Sequence, residues 1–561
     1  MDCEEAVYSN EYFDFISESF SGTRIDVSEY CVQKINSVYD IIYAERKGLF
    51  PLSIANYSYA AIPKCFTLMD KSALEASGVL RMQNYPNLLL KGQGVMIGFV
   101  DTGIDYNNPV FRYTDGSSRI AAIWDQTERS GTPPEGFLYG SEYRNEVISE
   151  ALRSQRPESV VPSRDENGHG TFLASVAAGS EIPQQDFSGA APYAQIAMVK
   201  LKEAKEYLRD FYFIPEDATA FQENDIMAGV AYLDQLARSM NLPLVLCISV
   251  GTNTGSHGGG LNPLTSVLDA VALKRPRAVV IAAGNEGNQR HHFAGELPKG
   301  QEYQNVEINV GEEVEGFTLE MWASAPQLFV VEIVSPTGER IPKEFILSGG
   351  KEYRFLFENT TVSIDYRIAR ISGGDQLIFI RFTNPAQGIW NIRVYRQSGY
   401  AQRYHMWLPV RELMTGEVYF IRSNPDTTIT VPGNSGNGMT VTAYDVRDNS
   451  LFIDAGRGYT VKGEVKPDFA APGVDVYGAG KRNQFVTRSG TSVAAAVTGG
   501  AVALMLEWAV VQGNYTLINS VDIKNIIIRG AEQEPGRTYP NNEWGYGKLN
   551  LYDAFENLRV R

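Results

Sequence analysis

The chain has 561 residues, 43% of them hydrophobic and 21% charged, which is close to the average for soluble globular proteins; it therefore reads as folded throughout. Its formal charge of -16, from 50 basic and 66 acidic residues, gives no attraction to phosphate backbones or anionic headgroups, so neither nucleic acid nor a membrane is expected as a partner. Cys3, Cys31, Cys65 and Cys247 show no CxxC or zinc-type spacing. They are expected to be free buried thiols, with no disulfide framework and no structural metal.

In chain order, Met1-Asp2-Cys3-Glu4-Glu5 leads into no apolar stretch, so no signal peptide is read and an intracellular location is expected. Residues 1–69 form a small α+β unit, with a helical pattern over Ser28–Glu45 and an extended end at Ala60–Leu68. From 70 to 300, short apolar runs alternate with helical patterns. The strand candidates are Val95–Val100, Ile196–Leu201, Leu244–Ser249 and Ala278–Ala283, and the clearest helix is Asp225–Met240. Such alternation predicts a mainly parallel sheet with helices on both faces. Residues 301–430 change to alternating runs such as Phe317–Met321 and Leu377–Phe382, separated by turns such as Ser335-Pro336-Thr337-Gly338, and predict an inserted all-β sandwich. The α/β pattern resumes over 431–561. There the longest apolar run, Gly499–Val511, is broken by Glu507 and falls short of the roughly 18 residues that a membrane span needs.

Four segments carry chemistry. The first strand ends in Val100-Asp101-Thr102-Gly103, which puts a carboxylate at the carboxyl edge of a parallel sheet, where open α/β folds bind ligands. Asp165-Glu166-Asn167-Gly168-His169-Gly170-Thr171 places an imidazole at the start of a small-residue helix, flanked by glycines that let backbone approach the ring. Ile281-Ala282-Ala283-Gly284-Asn285 sets an amide directly after a buried strand. Ser489-Gly490-Thr491-Ser492 opens an apolar helix, whose first-turn N–H groups and dipole point at any developing oxyanion. Taken singly, each segment also fits a turn or a helix cap.

In the order Asp, His, Ser these segments resemble the subtilase family of serine endopeptidases. Supporting stretches are Gly189-Ala190-Ala191-Pro192, Ser249-Val250-Gly251 and Lys466-Pro467-Asp468-Phe469-Ala470-Ala471-Pro472-Gly473. The resemblance implies a triad of Asp101, His169 and Ser492, an oxyanion hole of Asn285 and the Ser492 N–H, and pairing of Ser249 and Gly251 with the substrate backbone. It also implies that residues 1–69 are a propeptide lying across the cleft, removed by self-cleavage between Cys65 and Lys71. Two positions depart from the family: Val493 and Ala496 stand where it commonly has Met and Pro.

The β insertion resembles the jelly roll of the clostridial germination-specific Csp-type subtilases. That likeness implies a spore-associated location and, as substrate, an inactive precursor of a spore cortex-lytic hydrolase. The partners implied are a protein or peptide substrate and the chain's own propeptide. No cofactor is expected. Asp105 lies where some subtilases bind calcium and stays unassigned, since one carboxylate does not make such a site. Gly92-Gln93-Gly94 with Gly98 precedes its strand and lacks dinucleotide spacing. His291-His292 is read as a solvated loop without metal. Two rival readings remain: a catalytically silent scaffold that binds a partner protein, and an esterase or acyltransferase using the same triad.

Overall fold

The computed structural model describes residues 3–18, 30–68, 77–83, 85, 88–258, 262–344, 349–369, 374–397, 399 and 402–558. An eight-stranded sheet forms the centre, in the spatial order Phe469–Pro472, Met439–Tyr444, Arg277–Ala282, Leu244–Ile248, Met96–Asp101, Gln195–Lys200, Ile120–Asp125, Ser141–Arg144. All neighbours run parallel except the edge strand Ser141–Arg144. Successive side chains serve opposite faces. Ile97, Phe99, Val245 and Cys247 pack under helices His169–Ala178 and Thr491–Leu506, whereas Met96, Val100, Leu244, Leu246 and Ile248 pack under Glu223–Ser239 and Pro263–Ala272. Burying each large apolar side chain stabilises the fold by about 1.5–3 kcal/mol.

The helical stretch Thr491–Val511 spans 21 residues and contains an 18-residue run with a mean hydropathy of 1.7, long and apolar enough to cross a membrane, but 89% of that run is buried within the protein. Its apolarity is that of a core helix lying on the sheet.

The amino-terminal unit is a three-stranded antiparallel sheet of Tyr12–Glu18, Tyr39–Glu45 and Cys31–Lys34, preceded by the helix Cys3–Tyr8. The helix expected over Ser28–Glu45 is therefore a hairpin over its described part. Val32, Ile41, Ile42 and Tyr43 favour strands, and Asn36 Oδ1 accepts the N–H groups of Val38 and Tyr39 to fold the turn. The cysteine expectation also needs correcting. Cys3 and Cys31 form a disulfide with their Cα atoms 5.4 Å apart, because the opening helix packs against the sheet; Cys65 and Cys247 are free and buried. A separation of 28 residues carries no spacing signature that would have announced the bond.

The inserted sandwich begins at His292, ahead of residue 301, because His292–Glu296 is already an edge strand paired with Arg403–Trp407. A six-stranded and a five-stranded antiparallel sheet share one core that includes Val306, Ile308, Leu319, Met321, Ile378 and Ile380. The sandwich also meets the amino-terminal unit. Arg367 Nε donates to Ile54 O at 2.6 Å, and Tyr59 donates to Glu320 at 2.6 Å.

Candidate active site

Parallel register puts several strand ends on one edge of the sheet. Ile248 lies between Val100 and Ile281, so the residues that follow, Asp101, Ser249 and the turn to Asn285, are lateral neighbours. Asp101 Oδ1 lies 2.7 Å from His169 Nδ1 and also accepts the Thr102 N–H at 2.8 Å; both Asp101 and His169 are buried. A carboxylate only accepts, so Nδ1 carries the proton and the lone pair falls on Nε2, the tautomer that a general base requires.

His169 opens its helix behind Gly168, which has φ 87°. At Gly170 the helix comes so close to the loop after Asp101 that an added Cβ would lie 2.2 Å from Gly103 O. The glycine after the histidine is thus a condition of bringing ring and carboxylate together.

Asp165 secures this juncture, a role that sequence reasoning did not assign. Its Oδ1 accepts from Thr102 Oγ1 at 2.9 Å and Gly168 N at 2.7 Å, and its Oδ2 from Thr171 N at 2.9 Å and Thr171 Oγ1 at 2.7 Å. Thr102 Oγ1 in turn accepts the Gly170 N–H at 3.0 Å. One buried carboxylate therefore ties the residue after Asp101 to the turn carrying His169. The detectable signal was an acid four residues before the histidine with a threonine two after it.

Ser492 lies in the first turn of Thr491–Leu506, following Gly490 at φ 152°, and its side chain is fully buried. First-turn N–H groups have no helical acceptor and remain available to an anion. Ser492 Oγ is 3.5 Å from Ser249 O. Thr491 anchors the neighbouring turn: its hydroxyl donates to Asn285 Oδ1 at 3.1 Å and accepts Gly284 N–H at 3.0 Å, while its N–H faces the same Oδ1 at 3.3 Å. Two donors on one side of the amide identify that side as oxygen, which leaves Nδ2 as the donor end.

Val250–Gly251 pairs with an extended strand of the same chain. Cys65–Leu68 runs antiparallel between Val250–Gly251 and Phe221–Gln222, with Val250 opposite Leu68 and Gly251 opposite Thr67. Ser249 immediately precedes this pairing. Burial pushes the Cys65 thiol up to about 12, and it raises the Cys247 thiol too, so neither is a nucleophile at neutral pH.

His291 and His292 are buried, not solvated. His291 Nδ1 lies 2.6 Å from Glu286 Oε2, and His292 Nε2 lies 2.9 Å from His405 Nδ1. Glu286 also accepts from Asn253 Nδ2 at 2.8 Å, bracing the turn that carries Asn285. Among the described residues, no group of three or more His, Cys, Asp or Glu is placed to hold a metal ion. Asp105 accepts the Arg482 N–H at 3.2 Å.

A family model described as the subtilase family matches residues 92–310 and 415–547, which contain Asp101, His169, Asn285 and Ser492; the gap between the two stretches falls in the sandwich. Subtilisin-like protease SBT3.6 of Arabidopsis thaliana is 24% identical over 87% of this chain and 63% of its own length. C5a peptidase of Streptococcus pyogenes serotype M1 is 22% identical over 74% of this chain and 34% of its own. The chain thus spans less than two thirds of either relative. The solved structure of the Clostridium perfringens CspB protease is 30% identical, with a TM-score of 0.77, and the match covers 87% of this chain and 98% of that one. On the matched stretches and the geometry they enclose, the chain belongs to the subtilase family.

Proposed function

We propose that the protein is a serine endopeptidase that cleaves its own amino-terminal unit, residues 1–69, as a propeptide. The observation that carries this reading is the strand Cys65–Leu68, which adds to Val250–Gly251 as a substrate would and leads to Ser249 and Ser492. His169 Nε2 takes the Ser492 proton as Oγ attacks the peptide carbonyl, while Asp101 holds the ring and stabilises its cationic form. Asn285 Nδ2 and the Ser492 N–H receive the oxyanion. The imidazolium then protonates the leaving amine, and water, activated by the same ring, releases the acyl group from Ser492. The described pairing ends at Val250 opposite Leu68; extended by one residue toward Ser249, that register puts the cut at the Met69–Asp70 bond, within the span Cys65–Lys71 and outside the described residues.

Intact-mass analysis of wild type beside Ser492→Ala tests this. The expected result is loss of residues 1–69 from wild type only. Equal masses, allowing for the substitution, overturn it.

The likeness to the CspB protease over 98% of that chain favours a second, narrower assignment, to activation of a spore cortex-lytic hydrolase precursor by limited proteolysis. Incubating the processed protein with such a precursor should yield one cut; an intact precursor contradicts it. The silent scaffold is disfavoured by the paired Asp101 and His169, since a site without proton transfer has no need of that alignment.

A further inference from the structure

We infer that Glu223 and Glu320 form an acidic subsite that takes a basic side chain of the substrate, at the place Lys64 holds four residues before Leu68. This rests on the endopeptidase reading, in which residues 1–69 fill the cleft as a substrate does, and names a residue class that its substrates carry.

The main-chain anchoring of the substrate-like strand does not stop at Cys65. Cys65 faces Gln222, and one residue further out the Glu223 N–H donates to Lys64 O at 2.8 Å while the Lys64 N–H donates to Glu223 Oε2 at 3.3 Å. The Lys64 side chain is buried; its Nζ lies 3.7 Å from Glu223 Oε2 and donates to Tyr59 O at 2.9 Å. Glu223 and Glu320 are buried as well, and they come from different parts of the chain. Glu223 opens the helix Glu223–Ser239, and its Oε1 accepts the Leu264 N–H at 3.2 Å. Glu320 belongs to the sandwich strand Gly316–Ala323. Its Oε2 accepts from Trp322 Nε1 at 2.9 Å and Gly255 N–H at 3.0 Å, and its Oε1 accepts the Tyr59 hydroxyl. A cavity of about 370 Å³ adjoins Lys64 and is lined also by Tyr59, Ser256, Trp322 and Arg367, which leaves room for the longer arginine side chain.

From Tyr59 to Leu68 the segment is otherwise uncharged, so its one charge sits where the two carboxylates are. Burial lowers the Lys64 ammonium from the ordinary lysine value, and Glu223 and Glu320 both oppose that. Among the described residues, Lys64 is the only cation in ion-pair contact with Glu223. When residues 1–69 leave, Lys64 and the Tyr59 hydroxyl go with them. A substrate that covers the site again with a neutral side chain shuts Glu223 in without a counter-charge, which is strongly disfavoured, whereas a lysine or arginine restores the pair. Selection therefore works by rejecting chains that lack the cation. Because Glu320 is one of the two acids, the inserted sandwich takes part in that choice.

The test follows processing of the full chain during timed cell-free synthesis, with fluorophosphonate labelling of Ser492 reporting a folded site. Wild type, Lys64→Arg, Lys64→Met, Glu223→Gln and the double variant Lys64→Met with Glu223→Gln are compared. Lys64→Arg keeps the pair and processes within about twofold of wild type. Each neutral single variant leaves a buried charge without its partner and slows processing by about tenfold or more, and the double variant is faster than either. In trans, the processed wild type prefers a peptide of residues 60–71 over its Lys64→Met counterpart by about tenfold or more in kcat/KM, and the Glu223→Gln protein loses that preference. Lys64→Met processed at the wild-type rate, a double variant no faster than the slower single one, or a wild type without preference for the lysine peptide overturns the inference while leaving the endopeptidase reading standing. A wild type that does not process itself overturns the reading beneath it and the inference with it. If one single variant fails to take the label, the other single variant against the double decides.

Discussion

Asp101 Oδ1 and His169 Nδ1 lie 2.7 Å apart although 68 residues separate them in the chain, and both groups are shut away from solvent. Asp101→Asn keeps the shape but offers the imidazole an amide, which favours the tautomer with its lone pair on Nδ1. Turnover should fall by about 10⁴-fold with little change in KM, as in other Ser-His-Asp enzymes. Steady-state kinetics on a peptide substrate checks this; a loss below tenfold would mean that the carboxylate does not set the tautomer.

Asp165 offers a separate handle on the same geometry. It faces donors on all four of its contacts, so Asp165→Asn turns one acceptor into a donor that meets the Thr171 or Gly168 N–H. A displaced His169 should lower kcat by about 10²-fold, with KM nearly constant. The acid limb of the kcat/KM profile should also move, because the ring no longer sits squarely against Asp101. A merely less stable protein with an unshifted pH profile would assign Asp165 a purely structural role.

Where the elements that carry this site begin and end is legible in the sequence. Strand ends at Asp101 and Asn285, and helix starts at His169 and Ser492, follow from apolar runs that stop at small or polar residues. Those local patterns survive because the central sheet is buried on both faces. The helix expected at Asp225–Met240 is present as Glu223–Ser239. What stayed hidden depends on long-range packing. The hairpin in the amino-terminal unit looked helical because its apolar residues also fit a 3.6-residue period. The Cys3–Cys31 bond exists only because a helix docks on a sheet, and the burial of His291 and His292 depends on the sandwich closing over them.

That disulfide predicts where stability resides. Closing a loop between residues 28 apart contributes about 3.5 kcal/mol in the chain-entropy model. In a Ser492→Ala background, Cys31→Ser should speed amide exchange in the strands Tyr12–Glu18 and Tyr39–Glu45 by at least an order of magnitude, leaving Leu244–Ile248 unchanged. Equal exchange with and without the bond would show that packing alone holds the unit.

Burial also sets a pH dependence. His257 and His405 are each lowered from the usual value to about 4, chiefly by desolvation, and His257 stacks on Trp407 at 4.2 Å with Ile429 O and Asn253 O at its two ring nitrogens. Between the ordinary histidine range and about pH 4 the unfolded chain binds protons that the fold refuses. Stability is thus present above that window and lost as pH falls through it, by at most about 1.4 kcal/mol per pH unit for each group. Asp225 and Glu320, raised by burial, work in the opposite direction, so the informative quantity is a difference between variants. Tm should fall between about pH 7 and pH 5 by less in His257→Gln than in wild type; equal falls would refute the assignment.

The most direct test is reaction of the purified protein with a fluorophosphonate, followed by peptide mapping. An Oγ activated by His169, itself held by Asp101, should give a single adduct on Ser492, lost in His169→Ala and strongly slowed in Asp101→Asn. A folded protein with no adduct, or one labelled at Ser492 equally fast without His169, would contradict the assignment of these three residues as one catalytic unit.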